Sequence, residues 1–132
     1  MKYLLDTNVC IKYLNGSSES VKRHIEKLHP SEIVICSVVK SELFAGAYKS
    51  KNKGKTLDKL NFFFSPLKSL PFNDEDAEAY GKIRAELEKK GTPIGPYDLQ
   101  IASIAVLNNL TLVTHNKREF RLVEGLNIED WE

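Results

Sequence analysis

The chain has 132 residues, 42% hydrophobic and 28% charged, the profile of an ordinary globular domain long enough to bury a core without disulfide staples. No apolar run nears the ~20 residues of a membrane span, Asp6 interrupts any secretory leader at once, and Cys10 and Cys36 lack the number and spacing of a disulfide framework. A cytoplasmic location is therefore the default, and a net charge of +1 does not by itself announce a nucleic-acid binder.

Lys2–Leu5 reads as a short strand ending at Asp6. Asn8–Leu14 forms a helix stopped at Gly16. Val21, Ile25 and Leu28 recur at helical spacing after the cap candidates Ser17-Ser18-Glu19, with Pro30 as the stop. Ile33-Val34-Ile35-Cys36 is β-rich and bounded by polar residues, hence a buried strand. Ser37 is placed to cap a helix over Val38–Tyr48. The lysine-rich stretch Lys49–Gly54 is expected to be flexible, and Thr56–Phe64 to be helical up to Ser65-Pro66. Leu67–Leu70 gives a third strand. Asn73 caps a long helix through Lys90, with Gly91 at the position that favours a left-handed residue. In that helix Ala77, Tyr80, Ile83 and Leu87 form the apolar stripe. Thr92–Tyr97 is a rigid loop, Asp98–Leu107 an apolar helix, Thr111–Thr114 a fourth strand and Ile128–Trp131 a short fifth. The alternation favours one domain over residues 1–132, with an α/β fold: a three-layer α/β/α sandwich around a mainly parallel sheet of four to five strands.

Open parallel sheets place their sites beyond the C-terminal ends of the strands. Asp6 follows the first strand, Glu42 lies early on the helix after the second, Asp98 opens the helix after the rigid loop, and Glu119 follows the fourth strand. The fold thus sends four carboxylates toward one edge. Asp6, flanked by Leu5 and Val9, is expected to be partly buried, and a buried acid needs a partner or a metal. Each acid also has a structural alternative: a helix cap for Asp6 or Asp98, a solvated surface for Glu42 or Glu119. Clustered carboxylates repel unless a cation or protons intervene. An oxygen-only donor set suits Mg²⁺ or Mn²⁺ and disfavours zinc, for which no HExxH or Cys/His spacing is present. Arg84 borders the apolar stripe and is a candidate to meet carboxylate or phosphate.

Leu4-Leu5-Asp6-Thr7-Asn8, Ser41-Glu42-Leu43-Phe44-Ala45-Gly46-Ala47, Ile83-Arg84-Ala85-Glu86-Leu87, Gly91-Thr92-Pro93-Ile94-Gly95-Pro96-Tyr97-Asp98 and Leu112-Val113-Thr114-His115-Asn116-Lys117-Arg118-Glu119-Phe120 resemble, in order, the motifs of PIN-domain ribonucleases, above all VapC-type toxins of toxin–antitoxin modules. The resemblance implies Mg²⁺- or Mn²⁺-dependent cleavage of RNA, inhibition by a small VapB-type antitoxin, and a homodimer, with Phe62, Phe63 and Phe64 among the candidate interface residues. It identifies Asp6, Glu42 and Asp98 with the family's acidic residues. Many PIN domains place a fourth acid close to Asn116, so either Asn116 or Glu119 completes the set here. Thr7 and Asn8 match the first motif, and Thr114 is a candidate to orient water or phosphate. Two other readings compete. A receiver-like signalling domain also gathers acids around Mg²⁺, but it needs an acceptor aspartate after the third strand, where Pro71-Phe72-Asn73 stands. A non-catalytic interaction protein could keep the fold and lose the chemistry, which three intact acids disfavour.

Overall fold

The computed structural model describes residues 1–132. Five strands, β1 (Tyr3–Leu5), β2 (Ile33–Cys36), β3 (Lys68–Leu70), β4 (Thr111–Val113) and β5 (Asn127–Glu129), form one sheet in the order β3-β2-β1-β4-β5. Every neighbouring pair is parallel. All residues of β1 and β2 are buried in succession. Successive side chains point to opposite faces, so both faces are covered by helices, as the near-continuous apolar runs imply.

Seven helices connect the strands: α1 (Thr7–Asn15), α2 (Glu19–Lys27), α3 (Ser37–Lys49), α4 (Lys53–Phe64), α5 (Asp74–Lys89), α6 (Pro96–Leu107) and α7 (Lys117–Phe120). α6 is the most deeply set, with Leu99, Ile101, Ala102, Ser103, Ile104 and Ala105 all buried. Its one buried hydroxyl, on Ser103, donates to the Leu99 carbonyl at 2.7 Å and so carries no orphan polar group. No helix is long and apolar enough to cross a membrane.

Several boundaries move for local reasons. Gly16 ends α1 at φ 70°, and its amide bonds back to Lys12 and Tyr13, as the left-handed glycine requires. α2 stops at Lys27, and Pro30 opens a separate 3₁₀ turn over Pro30–Glu32. Ser37 is the first helical residue of α3; the capping position falls to Cys36, which is still extended at φ −119°, ψ 160°. The lysine-rich stretch is mostly helical, since α3 runs to Lys49 and α4 begins at Lys53. On α5, Asn73 and Asp76 exchange bonds with each other's backbone amides at 3.0 and 2.9 Å. The buried stripe of α5 is Asp76, Ile83 and Leu87 with Tyr80 half-buried, while Ala77 faces water. An acid in that stripe is legible only through its cap, not through hydrophobic spacing. α7 was not expected from the sequence.

Strand order determines where a site can form. β1, β2 and β3 run outward in one direction, and the chain then returns to lay β4 on the other side of β1. The connections leaving β1 and β4 therefore diverge at their C-terminal ends. That switch point opens a crevice, the usual ligand position in open α/β sheets.

Candidate active site

Asp6 terminates β1 and Thr114 terminates β4, so the switch point lies between these two side chains. Asp6 is buried at 6% exposure. Its Oδ1 accepts the Thr7 amide at 2.8 Å and its Oδ2 accepts the Thr114 hydroxyl at 2.8 Å. Thr114 Oγ1 in turn accepts the Asn116 amide at 3.0 Å. With that lone pair taken, the hydroxyl proton is directed at Asp6, which fixes the carboxylate plane. Burial raises the Asp6 pKa, and the Thr114 and Thr7 bonds pull it partly back. The cap reading of Asp6 is thus correct as far as it goes, because Asp6 does cap α1. One bond to Thr7 leaves its other oxygen for Thr114, which lies 108 residues away and has no part in capping.

The second acid reaches the site through Thr7, whose hydroxyl donates to Glu42 Oε1 at 3.1 Å. Asp98 is not an N-cap. Gly95 holds that position, Pro96 opens the helix, and Asp98 sits on the first turn with no hydrogen bond to a backbone amide. Its pKa is pushed up to about 6, first by burial and then by the charges of Asp6, Glu119 and Glu42. Those three neighbours are the other members of the expected set, so all four acids share one electrostatic neighbourhood. Glu119, on α7, accepts the Asn116 side-chain amide at 3.4 Å, so the two candidates for the fourth position lie together.

No lysine, arginine or histidine pairs with Asp6, Glu42, Asp98 or Glu119; the five ion pairs of the chain all lie elsewhere. A buried aspartate, a half-buried one whose charge the other three acids disfavour, and two exposed glutamates, none with a basic partner, fit a hard divalent cation. No three of the four acids bring ligand oxygens within 4.8 Å of one another, a property confined to His115, Asp130 and Glu132. Such spread suits an ion that keeps several waters and is gripped by one or two carboxylates directly.

Two expected participants stand apart. Arg84 is exposed and donates to Glu88 Oε1 at 3.0 Å, with Tyr80 beside it, and contacts none of the acids. It is an i,i+4 surface pair, and the apolar spacing alone could not separate that from a site arginine. Asn8 is exposed and makes no hydrogen bond to any of the four acids; it lines a cavity of about 300 Å³ with Ile11, Lys12, His115, Asn116 and Glu132. The sequence reading missed the Thr7–Glu42 bond. Its signal was present: a hydroxyl directly after a site aspartate has a fixed place beside it.

The Thr114 contact is testable. Thr114→Val keeps the shape but removes the donor to Asp6 and the acceptor for Asn116. The RNA cleavage expected from the resemblance should fall about tenfold, equivalent to about 1.4 kcal/mol of a charge-assisted bond, with Thr114→Ser restoring it. Equal rates for threonine and valine would show that Asp6 is held without it.

Comparison with known proteins agrees with this geometry. The PIN domain family matches residues 3–126. Ribonuclease VapC2 of Rickettsia felis is 41% identical over 133 residues, covering 100% of this chain and 99% of the relative. The tRNA(fMet)-specific endonuclease VapC of Salmonella typhimurium is 40% identical over 131 residues, covering 99% and 98%. Among solved structures, DNA-bound VapBC from Salmonella typhimurium superposes with a TM-score of 0.93 at 40% identity, covering 100% of this chain and 99% of that one. VapBC2 from Rickettsia felis, bound to a promoter DNA fragment, gives 0.91 at 40% identity, covering 100% of both chains. A buried aspartate at the switch point, three further acids around it and a match over nearly the whole chain have one meaning: this chain belongs to the PIN domain family.

Proposed function

We propose that this chain is a metal-dependent endoribonuclease of the VapC type, the toxin of a toxin–antitoxin pair. The observation that carries the reading is the group of four acids at the β1/β4 switch point, three of which act by their charge on Asp98, without one basic partner. In this reading Asp6, Asp98 and Glu42 hold Mg²⁺ or Mn²⁺, with Glu119 and Asn116 completing the site. The cation supplies Lewis acidity toward a phosphate oxygen and an attacking water. The chain's own residues set its place. Thr7 and Thr114 orient Asp6, Thr7 also tethers Glu42 through its hydroxyl, and Asn116 holds both Thr114 and Glu119.

Relatives of this chain at 40% identity are named as ribonucleases, and their solved structures are VapBC complexes. By that likeness the substrate is RNA in the cytoplasm and the partner is a VapB-type antitoxin. Residues 1–132 act as one nuclease unit, expected to work as a homodimer. An apolar cavity of about 280 Å³ between α1, α3 and α4, lined by Ile11, Leu14, Leu43 and Leu60 with Glu42 at its rim, gives an inhibitory segment a path to the acids. Of the three consecutive phenylalanines only Phe62 is available for contacts, at 83% exposure; Phe64 is buried and Phe63 partly so. A receiver-like function is disfavoured because β3 leads into Pro71 and Phe72 and brings no acid to the site.

The test is an RNase assay on purified chain, with transfer RNA as the first substrate. Cleavage should stop with EDTA and return with Mg²⁺ or Mn²⁺. Full activity after exhaustive chelation would replace this reading with metal-free acid–base chemistry, and silence with either metal would support a non-catalytic role.

A further inference from the structure

The end of the chain is tied down closely. β5 pairs with β4. Trp131 is buried, stacked on His24 with ring centroids 5.2 Å apart and edge-on to Tyr3 at 5.1 Å, and its carbonyl accepts the Ser20 hydroxyl. With Trp131 turned inward, its neighbours Asp130 and Glu132 both reach His115, which sits between β4 and α7. His115 Nδ1 lies 3.0 Å from Asp130 Oδ2 and 3.6 Å from Glu132 Oε2. A tetrahedral site with bonds of about 2.0–2.1 Å has ligand–ligand edges of about 3.3–3.4 Å, which these two gaps bracket.

The remaining oxygens are already engaged. Asp130 Oδ1 accepts the Glu132 amide at 3.0 Å, and Lys12 holds Glu132 Oε1. Each carboxylate therefore offers its second oxygen to the imidazole. Lys117 Nζ, 3.5 Å from Asp130 Oδ2, is the one competing cation on those offered oxygens, and its side chain is 62% exposed and can swing into water.

We propose that His115, Asp130 and Glu132 form a second metal site, for a borderline transition cation of the Zn²⁺ class, distinct from the oxygen-only group around Asp6. One imidazole and two carboxylates suit such an ion and leave a fourth position for water. The Asp130-x-Glu132 spacing alone does not announce the site, because the fold brings in His115 from 15 positions before Asp130. His115 stands directly between Thr114 and Asn116. An ion there clips the segment carrying Thr114, Asn116 and Glu119 to the chain's end and, through Glu132 and Lys12, to α1. Its role is to hold that segment in place.

The proposal does not depend on nuclease activity, and its test reads binding. The whole chain is titrated calorimetrically with Zn²⁺ in millimolar Mg²⁺, which occupies the oxygen cluster. One Zn²⁺ should bind per chain. His115→Gln and Glu132→Gln should each weaken it by at least about 10- to 100-fold, the loss seen even when a group behind a ligand is removed. Asp6→Asn should leave the Zn²⁺ isotherm unchanged. No Zn²⁺ uptake by the wild type, equal isotherms for wild type and both glutamine variants, or loss of binding in Asp6→Asn would each overturn the site and leave the trio as ion pairs alone.

Discussion

Asp6→Asn should reduce RNA cleavage by about three orders of magnitude, the scale of roughly 4 kcal/mol of charge stabilisation lost from the transition state. The substitution is nearly isosteric, so its effect is chemical. Both Asp6 oxygens accept bonds, from the Thr7 amide and the Thr114 hydroxyl. Asparagine keeps one acceptor and presents an amide donor to the other partner. It also removes the buried charge that a cation would meet first. Stability changes less, because the lost bond is offset by relief from burying a carboxylate whose pKa is raised mainly by desolvation. A circular dichroism spectrum like that of the wild type, beside an inactive enzyme, is the expected pair of results. Asp98→Asn should be as severe and Glu42→Gln nearly so. Glu119→Gln should be milder, since Glu119 is exposed and is bonded to the Asn116 amide. Wild-type rates in either aspartate variant would remove these acids from the chemistry.

The placement of the candidate acids near one sheet edge was legible in the sequence because strand order and strand ends are coupled. Short β-rich runs ending at Asp6 and Thr114 predict a parallel sheet, and a parallel sheet predicts which end matters. The elements themselves were found for the same reason: Gly16 and Gly91 take left-handed angles after α1 and α5, and Asn73 caps α5. What was missed depends on contacts distant in sequence. Arg84 and a site arginine have the same helical spacing, and only packing gives Arg84 to Glu88. Asp98 after Pro96 has the pattern of a cap, but Gly95 takes that place, and Asp98 lands on the first turn facing three other acids. The meeting of His115 with the chain's end depends on Trp131 docking against α2, which hydrophobic periodicity does not encode.

Asp98→Asn should also make the metal-free protein more stable, and only above a certain pH. In the unfolded chain Asp98 titrates near its ordinary 3.8, while in the folded state burial and the neighbouring acids move it to about 6. Between those values the folded state binds more protons than the unfolded state, so stability falls as pH rises through the window, and the loss is complete above it. The full shift corresponds to ~3 kcal/mol, but Asp98 is only half-buried and solvent screens part of it, leaving ~1–2 kcal/mol. A favourable interaction of the anion with the α6 N-terminus opposes this by ~0.3–1 kcal/mol. The net expectation is about 1 kcal/mol, or roughly 3–5 °C in melting temperature for a chain of this size. The melting curves of wild type and Asp98→Asn in EDTA should therefore coincide near pH 4 and separate above pH 6, with the variant higher. Millimolar Mg²⁺ should raise the wild type, since an ion that binds only the folded state stabilises it by mass action, and should do far less for the variant. The Mg²⁺ effect should grow as pH rises through 6, where Asp98 gives up its proton and becomes a ligand. Curves that run parallel at every pH, with equal Mg²⁺ shifts in both proteins, would reduce Asp98 to an ordinary first-turn acid of α6.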